Sequence, residues 1–262
     1  MKLIQNLFQY RELLKTNIRK EIRGKYKGSF LGVLWSFVNP LLQVLVYALV
    51  FPYLMKIKGG SNYLIYLVVG IIPWTFFLTT MSQGITTIKF NAGIIKKVYF
   101  PREILPISVV VSGMINFLIS CIIIVAFVLG AGMGISWHLI YLPVLAVLQA
   151  LFTLGLVLAL SAINIYIKDT EYIITFVLNM LFYGTPILYE LKTFTSDVPE
   201  ILLTLVKLNP LTSFFDAYRD IFMYHQSPSL SVILYLAALS VIVFLIGYAI
   251  FKKLEKGFAE EI

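Results

Sequence analysis

GSFLGVLWSFVNPLLQVLVYALVFPYLM, residues 28–55, contains no Asp, Glu, Lys or Arg. As a helix this stretch rises roughly 42 Å, more than the roughly 30 Å hydrocarbon core of a bilayer. Ahead of it stand eight cations: Lys2, Arg11, Lys15, Arg19, Lys20, Arg23, Lys25 and Lys27. A basic block before a long uncharged run marks a membrane span that starts on the cytoplasmic side. The bilayer is therefore the solvent in which the rest of the chain must be read.

The other uncharged intervals extend that reading. Residues 59–88 form a second predicted span. Residues 104–167 run without a formal charge and are too long for one crossing. Gly130, Gly132, Gly134 and Ser136 divide them into spans at 104–129 and 138–167 joined by a tight turn. A shorter fifth span is predicted at 172–189 and a sixth at 229–251. Six crossings place both termini on one side. The termini side then collects sixteen of the 21 Lys and Arg residues, the opposite side only Lys56, Lys58, Lys192, Lys207 and Arg219. That asymmetry predicts cytoplasmic termini.

Composition agrees: 60% hydrophobic, 13% charged, mean hydropathy +0.90. The net charge of +8 sits at span ends, where topology and anionic headgroups account for it without nucleic acid. Cys121 is the single cysteine, so no disulfide framework is expected. His138 and His225 each lack a second ligand at metal spacing, and no metal site is expected. No predicted span has an interior carboxylate, which disfavours a proton- or sodium-coupled carrier. Glu190, Asp197 and Glu200 have no companion base, which disfavours a membrane-embedded enzyme.

Before the first span, Leu3, Leu7, Leu14, Ile18 and Ile22 recur at helical spacing, with Lys15, Arg19 and Lys20 on other faces. Residues 1–27 are expected to form an amphipathic helix in the headgroup plane, with no cleavable leader. It serves either as an anchor or as a docking surface. Between spans five and six, residues 190–228 are too apolar for a hydrophilic loop. Asn209 and Pro210 supply an N-cap and a first helical residue. Two short helices follow from this pattern, each too short to cross and expected to be re-entrant. Gly184 and Pro186 break the shortest span just ahead of them. Broken helices at membrane depth line cavities, so Gly184, Pro186, Asn209, Pro210, Asp216 and Arg219 form a candidate gate. The open alternative is a kinked span with an interfacial hairpin.

RGKYKGSFLGVLWSFVNPLL (23–42) resembles the start of the first span in permeases of polysaccharide-exporting ATP-binding-cassette transporters of the type-2 class. These export O-antigen, capsule and teichoic acid. NAGIIKKVYFPREILPIS (91–108), KDTEYIITFVLNMLFYGTPILY (168–189) and LNPLTSFFDAYRDIF (208–222) continue the resemblance in order. Lys168 stands where the family more often has Arg.

The resemblance implies a homodimer of permeases in the inner membrane, bound to two copies of a separate ATPase. ATP and Mg would bind that partner, and this chain would hold no cofactor; it has no G-x-x-x-x-G-K-[ST] loop. The cargo implied is a polysaccharide on undecaprenyl pyrophosphate, or, as the alternative, a lipid or small molecule. Residues 89–103 would be the coupling segment, with Asn91, Ile94, Ile95, Val98 and Phe100 toward the ATPase. Arg23, Lys25 and Lys27 would meet the pyrophosphate at the entrance. They also serve plain positive-inside anchoring, and Gly24, Gly28 and Gly32 allow close helix packing. Sugar rings pack C–H faces on aromatic faces, so Trp35, Phe37, Tyr47, Trp74, Phe76, Phe77, Tyr183 and Tyr189 are the candidate channel-lining aromatics.

Overall fold

A computed structural model of the chain describes residues 2–24, 34–50, 62–190 and 199–261. Among them every regular element is helical. Three long apolar helices are α4 (Tyr63–Phe90), α6 (Ile104–Gly130) and α11 (Leu230–Leu254). The fourth is α7 (Leu142–Tyr166), extended at its start by a 3₁₀ turn, Trp137–Tyr141. All four are long and apolar enough to cross a membrane. Two shorter apolar helices accompany them, α3 (Trp35–Leu49) and α8 (Thr170–Tyr183). The remaining elements are α1 (Lys2–Gln9), α2 (Arg11–Gly24), α5 (Ala92–Ile95), α9 (Glu200–Leu208), α10 (Pro210–Arg219) and α12 (Phe258–Glu261), with a π-helical turn at Asp220–Tyr224 and a 3₁₀ turn at Glu255–Gly257.

Helix α4 is the hub. Of its most apolar stretch 78% is buried, against 17% for α11. The exposed face of α11 is mainly aliphatic (Leu234, Val241, Ile242, Leu245, Ile246), with Tyr235 as its exposed aromatic, as suits a helix against lipid tails. Apolar surface alone does not pull helices together in lipid, so close packing and polar cross-links must. Gly155 of α7 and Gly247 of α11 supply the first. A Cβ on Gly247 would overlap the Gly155 carbonyl, and one on Gly155 would lie 2.5 Å from Val243 O. The two backbones touch there. Buried amides supply the second: Gln149 Nε2 donates to Pro73 O at 3.1 Å, and Asn164 Nδ2 to Ile85 O at 3.2 Å. Tyr218 of α10 donates to Gln149 Oε1 at 2.9 Å, which ties α10, α7 and α4 together.

The turn between α6 and α7 follows its sequence. Helix α6 stops at Gly130, Gly132 and Gly134 take φ of +74° and +75°, and Ser136 caps the 3₁₀ turn. Asn209 caps α10 through Leu211 N at 3.0 Å, with Pro210 in the first helical turn. Two boundaries depart from expectation. The N-terminal helix is broken at Tyr10 into α1 and α2. Helix α8 covers only 14 residues, roughly 21 Å, because the chain leaves the helix at Gly184. Along α2, Lys15 donates to Glu12 and holds that carboxyl below its ordinary range.

The ends of the bundle differ. At one end Ile88, Ile95, Phe100, Leu105, Ile165, Phe251 and Phe258 form a second apolar cluster, and Tyr10 and Leu13 pack on it. Both described ends of the chain gather there. At the other end lie the start of α4, residues 184–190, α9, α10 and the start of α11.

Candidate functional site

Residues 184–190 leave helical geometry and so free a row of carbonyls that need partners away from water. Side chains supply them. The single Tyr66 hydroxyl proton is shared between Pro186 O at 3.0 Å and Tyr189 O at 2.6 Å. Tyr63 Oη donates to Leu188 O at 2.8 Å, and Tyr189 Oη to Tyr183 O at 2.8 Å. Asn209 Nδ2 reaches Gly184 O at 3.3 Å and Thr185 Oγ1 at 2.8 Å. The amide that caps α10 with its oxygen thus holds the end of α8 with its nitrogen. The break is a backbone segment lashed to α4 and α10.

Arg219 completes the lashing. Its side chain is only 2% exposed, Nη2 donates to Pro186 O, and Nη1 pairs with Asp216 Oδ1 at 3.2 Å. Its guanidinium lies 3.6 Å from the Tyr66 ring centroid. A buried cation is costly unless compensated; here a carboxylate, a carbonyl and an aromatic face share the task. Gly70 makes the space, since a Cβ there would sit 3.2 Å from Nη2. Arg219 Nε has no hydrogen-bond partner among the described residues. A cleft of about 310 Å³ opens beside it, lined by Tyr66, Glu190, Asp216, Arg219, Asp220 and Tyr224. The predicted Gly184, Pro186, Asn209, Pro210, Asp216 and Arg219 therefore do meet in space.

The expected coupling residues divide. Ile94 and Val98 are exposed, and Phe90 and Tyr99 beside them are 80% and 93% exposed. Ile95 and Phe100 are buried in the cluster at that end, where they anchor the segment. Asn91 is also buried; its Nδ2 donates to Thr87 O at 2.7 Å and its Oδ1 accepts from Lys20 at 3.1 Å. The result is an apolar ledge standing on an apolar root.

The aromatics divide as well. Trp74, Phe76 and Phe77 are buried inside this chain, against Phe182, Phe117 and Phe152 respectively. Tyr47 is half-buried on Phe182, Trp35 and Tyr189 are half-buried, and Tyr183 is exposed. Tyr172, Phe176 and Tyr183 form an exposed aromatic stripe along α8. Arg23 is exposed at the end of α2; Lys25, Lys27 and the Phe37 side chain lie outside the described residues.

Sequence reading missed Tyr66, Gln149 and Glu103. Gln149 was visible as one of three amides, with Asn116 and Asn164, in the uncharged run 104–167. Glu103 was visible as a carboxylate beside the start of a span. Nothing in the local pattern separates Tyr66 from its neighbours.

A profile described as ABC-2 type transporter matches residues 12–223. The O-antigen export system permease protein RfbA of Myxococcus xanthus is 36% identical over 262 residues, all of both chains. The protein of that name from Klebsiella pneumoniae is 34% identical over 261 residues, 99% of this chain and 98% of the relative. The polysialic acid transport protein KpsM of Escherichia coli is 21% identical over 248 residues, 91% of this chain and 92% of the relative.

Proposed function

The chain belongs to the ABC-2 type transporter family, is a multi-pass membrane protein, and from that premise we propose that it is the membrane subunit of an ATP-driven polysaccharide exporter. Its cargo is a glycan on undecaprenyl pyrophosphate, of the O-antigen kind. Two copies of the chain form the conduit, and two copies of a separate ATPase drive it. Residues 1–262 act as one permease domain in the inner membrane, with six crossings and cytoplasmic termini. Helices α3 and α8 are the two shorter crossings, and α9 and α10 dip into the opposite face and return.

The observation that carries this reading is end-to-end kinship to permeases named for O-antigen export. The geometry supports the division of labour. Phe90, Ile94, Val98 and Tyr99 offer an apolar ledge at the end that carries the termini, suited to a soluble partner. ATP and Mg belong to that partner. Arg23, with Lys25 and Lys27, attracts the pyrophosphate at the entrance. The α8 stripe of Tyr172, Phe176 and Tyr183 faces the conduit, because sugar rings stack on aromatic faces, and α8 exposes three of them in a row. A polymer cannot be enclosed in a pocket, so the path is continuous, and the lashed segment 184–190 with α10 closes its outer end.

Reconstitution tests the proposal. The permease and its partner ATPase are placed in proteoliposomes with lipid-linked O-antigen, and ATP-dependent glycan translocation is measured. Translocation is the expected result. Stimulation of ATP hydrolysis by lipids or small amphiphiles, with lipid-linked glycan inert, would overturn it.

A further inference from the structure

Glu103 is a carboxylate with no solvent exposure, set between the apolar ledge and the start of α6. Nothing in the lashed segment or the aromatic stripe uses it. Lys252, near the end of α11, donates to Glu103 Oε2 at 3.0 Å, and Asn6 of α1 donates to Oε1 at 3.1 Å. Lys252 also pairs with Glu255 at 2.9 Å, while Arg102 donates to the Glu255 carbonyl. Three chain segments, around residues 6, 103 and 252, therefore meet on one buried charge. A charge removed from water is retained at a cost, and breaking one partner leaves the other uncompensated. Such a group resists sliding of the elements it joins.

The neighbourhood gives the joint something to transmit. A polar cleft of about 470 Å³ opens beside it, and its wall includes both the exposed Tyr99 and the paired Glu103 and Lys252. Phe100, between them, is rooted in the same apolar cluster as Phe251 of α11. Tyr99, Phe100 and Glu103 line that one cleft, and Glu103 bonds onward to α11 and α1, so packed groups join the ledge to both helices.

We propose that Glu103 is a positioning residue that makes the ledge, α6 and the end of α11 move as one body when the partner ATPase binds nucleotide. The inference rests on the reading of the ledge as the ATPase seat. Loss of the charge uncouples α11 from the ledge without releasing the ATPase.

The test uses the whole permease–ATPase complex with spin labels at exposed Lys97→Cys, beside the ledge, and Lys253→Cys, in the background of Cys121→Ser. Distances between labels are measured with and without a non-hydrolysable ATP analogue. In the otherwise wild-type complex the separation is expected to stay constant on nucleotide addition. In Glu103→Gln, and in the more accessible Lys252→Met, it is expected to shift or broaden, with ATPase co-purification unchanged and glycan exported per ATP reduced tenfold or more. A separation held equally well in both variants would overturn the joint. So would a loss of export that merely follows a fall in melting temperature. A wild-type complex that exports no glycan would instead sink the functional reading, while the distance measurement still reports on the joint.

Discussion

The guanidinium of Arg219 sits 3.6 Å from the centroid of the Tyr66 ring, 153 positions away in sequence, and both side chains donate to the same Pro186 carbonyl. One carbonyl on a broken helix is thus held from two elements at once. Tyr66→Phe keeps the ring under the cation and loses only the shared hydroxyl bond, a cost of about 1 kcal/mol. Arg219→Ala loses the cation on the ring and a charge-assisted bond, together about 3 kcal/mol. Asp216 is half exposed, so the full penalty of a stranded buried charge does not apply. Thermal unfolding in detergent should rank wild type above Tyr66→Phe, and Tyr66→Phe above Arg219→Ala.

Gly247 should tolerate no side chain. Its Cβ would fall on the Gly155 carbonyl, so Gly247→Ala must push α7 and α11 apart at a cost of about 1–3 kcal/mol. Gly93→Ala, with nothing within 4 Å, is the control. Size-exclusion profiles after mild heating should show the first variant aggregating and the second matching wild type.

The ledge and its root predict opposite failures. Ile94→Asp and Val98→Asp place charge on exposed positions and should abolish ATPase co-purification while leaving the melting temperature within about 2 °C. Ile95→Asp puts a carboxylate in the buried cluster. It should lower the yield of folded permease before any partner is added.

Along α8, alanine at Tyr172 and Phe176 removes exposed rings, and at Tyr183 it removes an exposed ring with one edge-to-face contact on Phe182. Export in proteoliposomes is expected to fall severalfold with folding unchanged. Trp74→Ala empties a buried site beside Phe77 and Phe182, at a cost of about 3–5 kcal/mol. It should destabilise the permease regardless of cargo, which separates stripe from core in one stability measurement.

Much of the architecture is written locally. Uncharged runs mark the long helices, three glycines and Ser136 mark the turn between α6 and α7, and Asn209 with Pro210 marks the start of α10. Each of these signals acts through a residue's own backbone or its nearest turn. The candidate gate was legible for the same reason, since a Gly and a Pro interrupt a span at a fixed place. The orientation of the aromatics was not legible. Helix α4 is apolar all round, and without periodicity a helix does not disclose which face meets its own core.

What the chain by itself determined is therefore where it enters lipid, where it turns and where its helices break, because hydropathy, backbone φ and caps are properties of short stretches. What only the tertiary structure decided is which distant groups settle the resulting debts: Arg219 and Tyr66 on the Pro186 carbonyl, Gln149 between Tyr218 and Pro73, Glu103 between Asn6 and Lys252. Away from water every exposed carbonyl and charge must find a partner within about 3 Å. That partner is selected by how helices cross in space, a geometry that no local pattern of residues encodes.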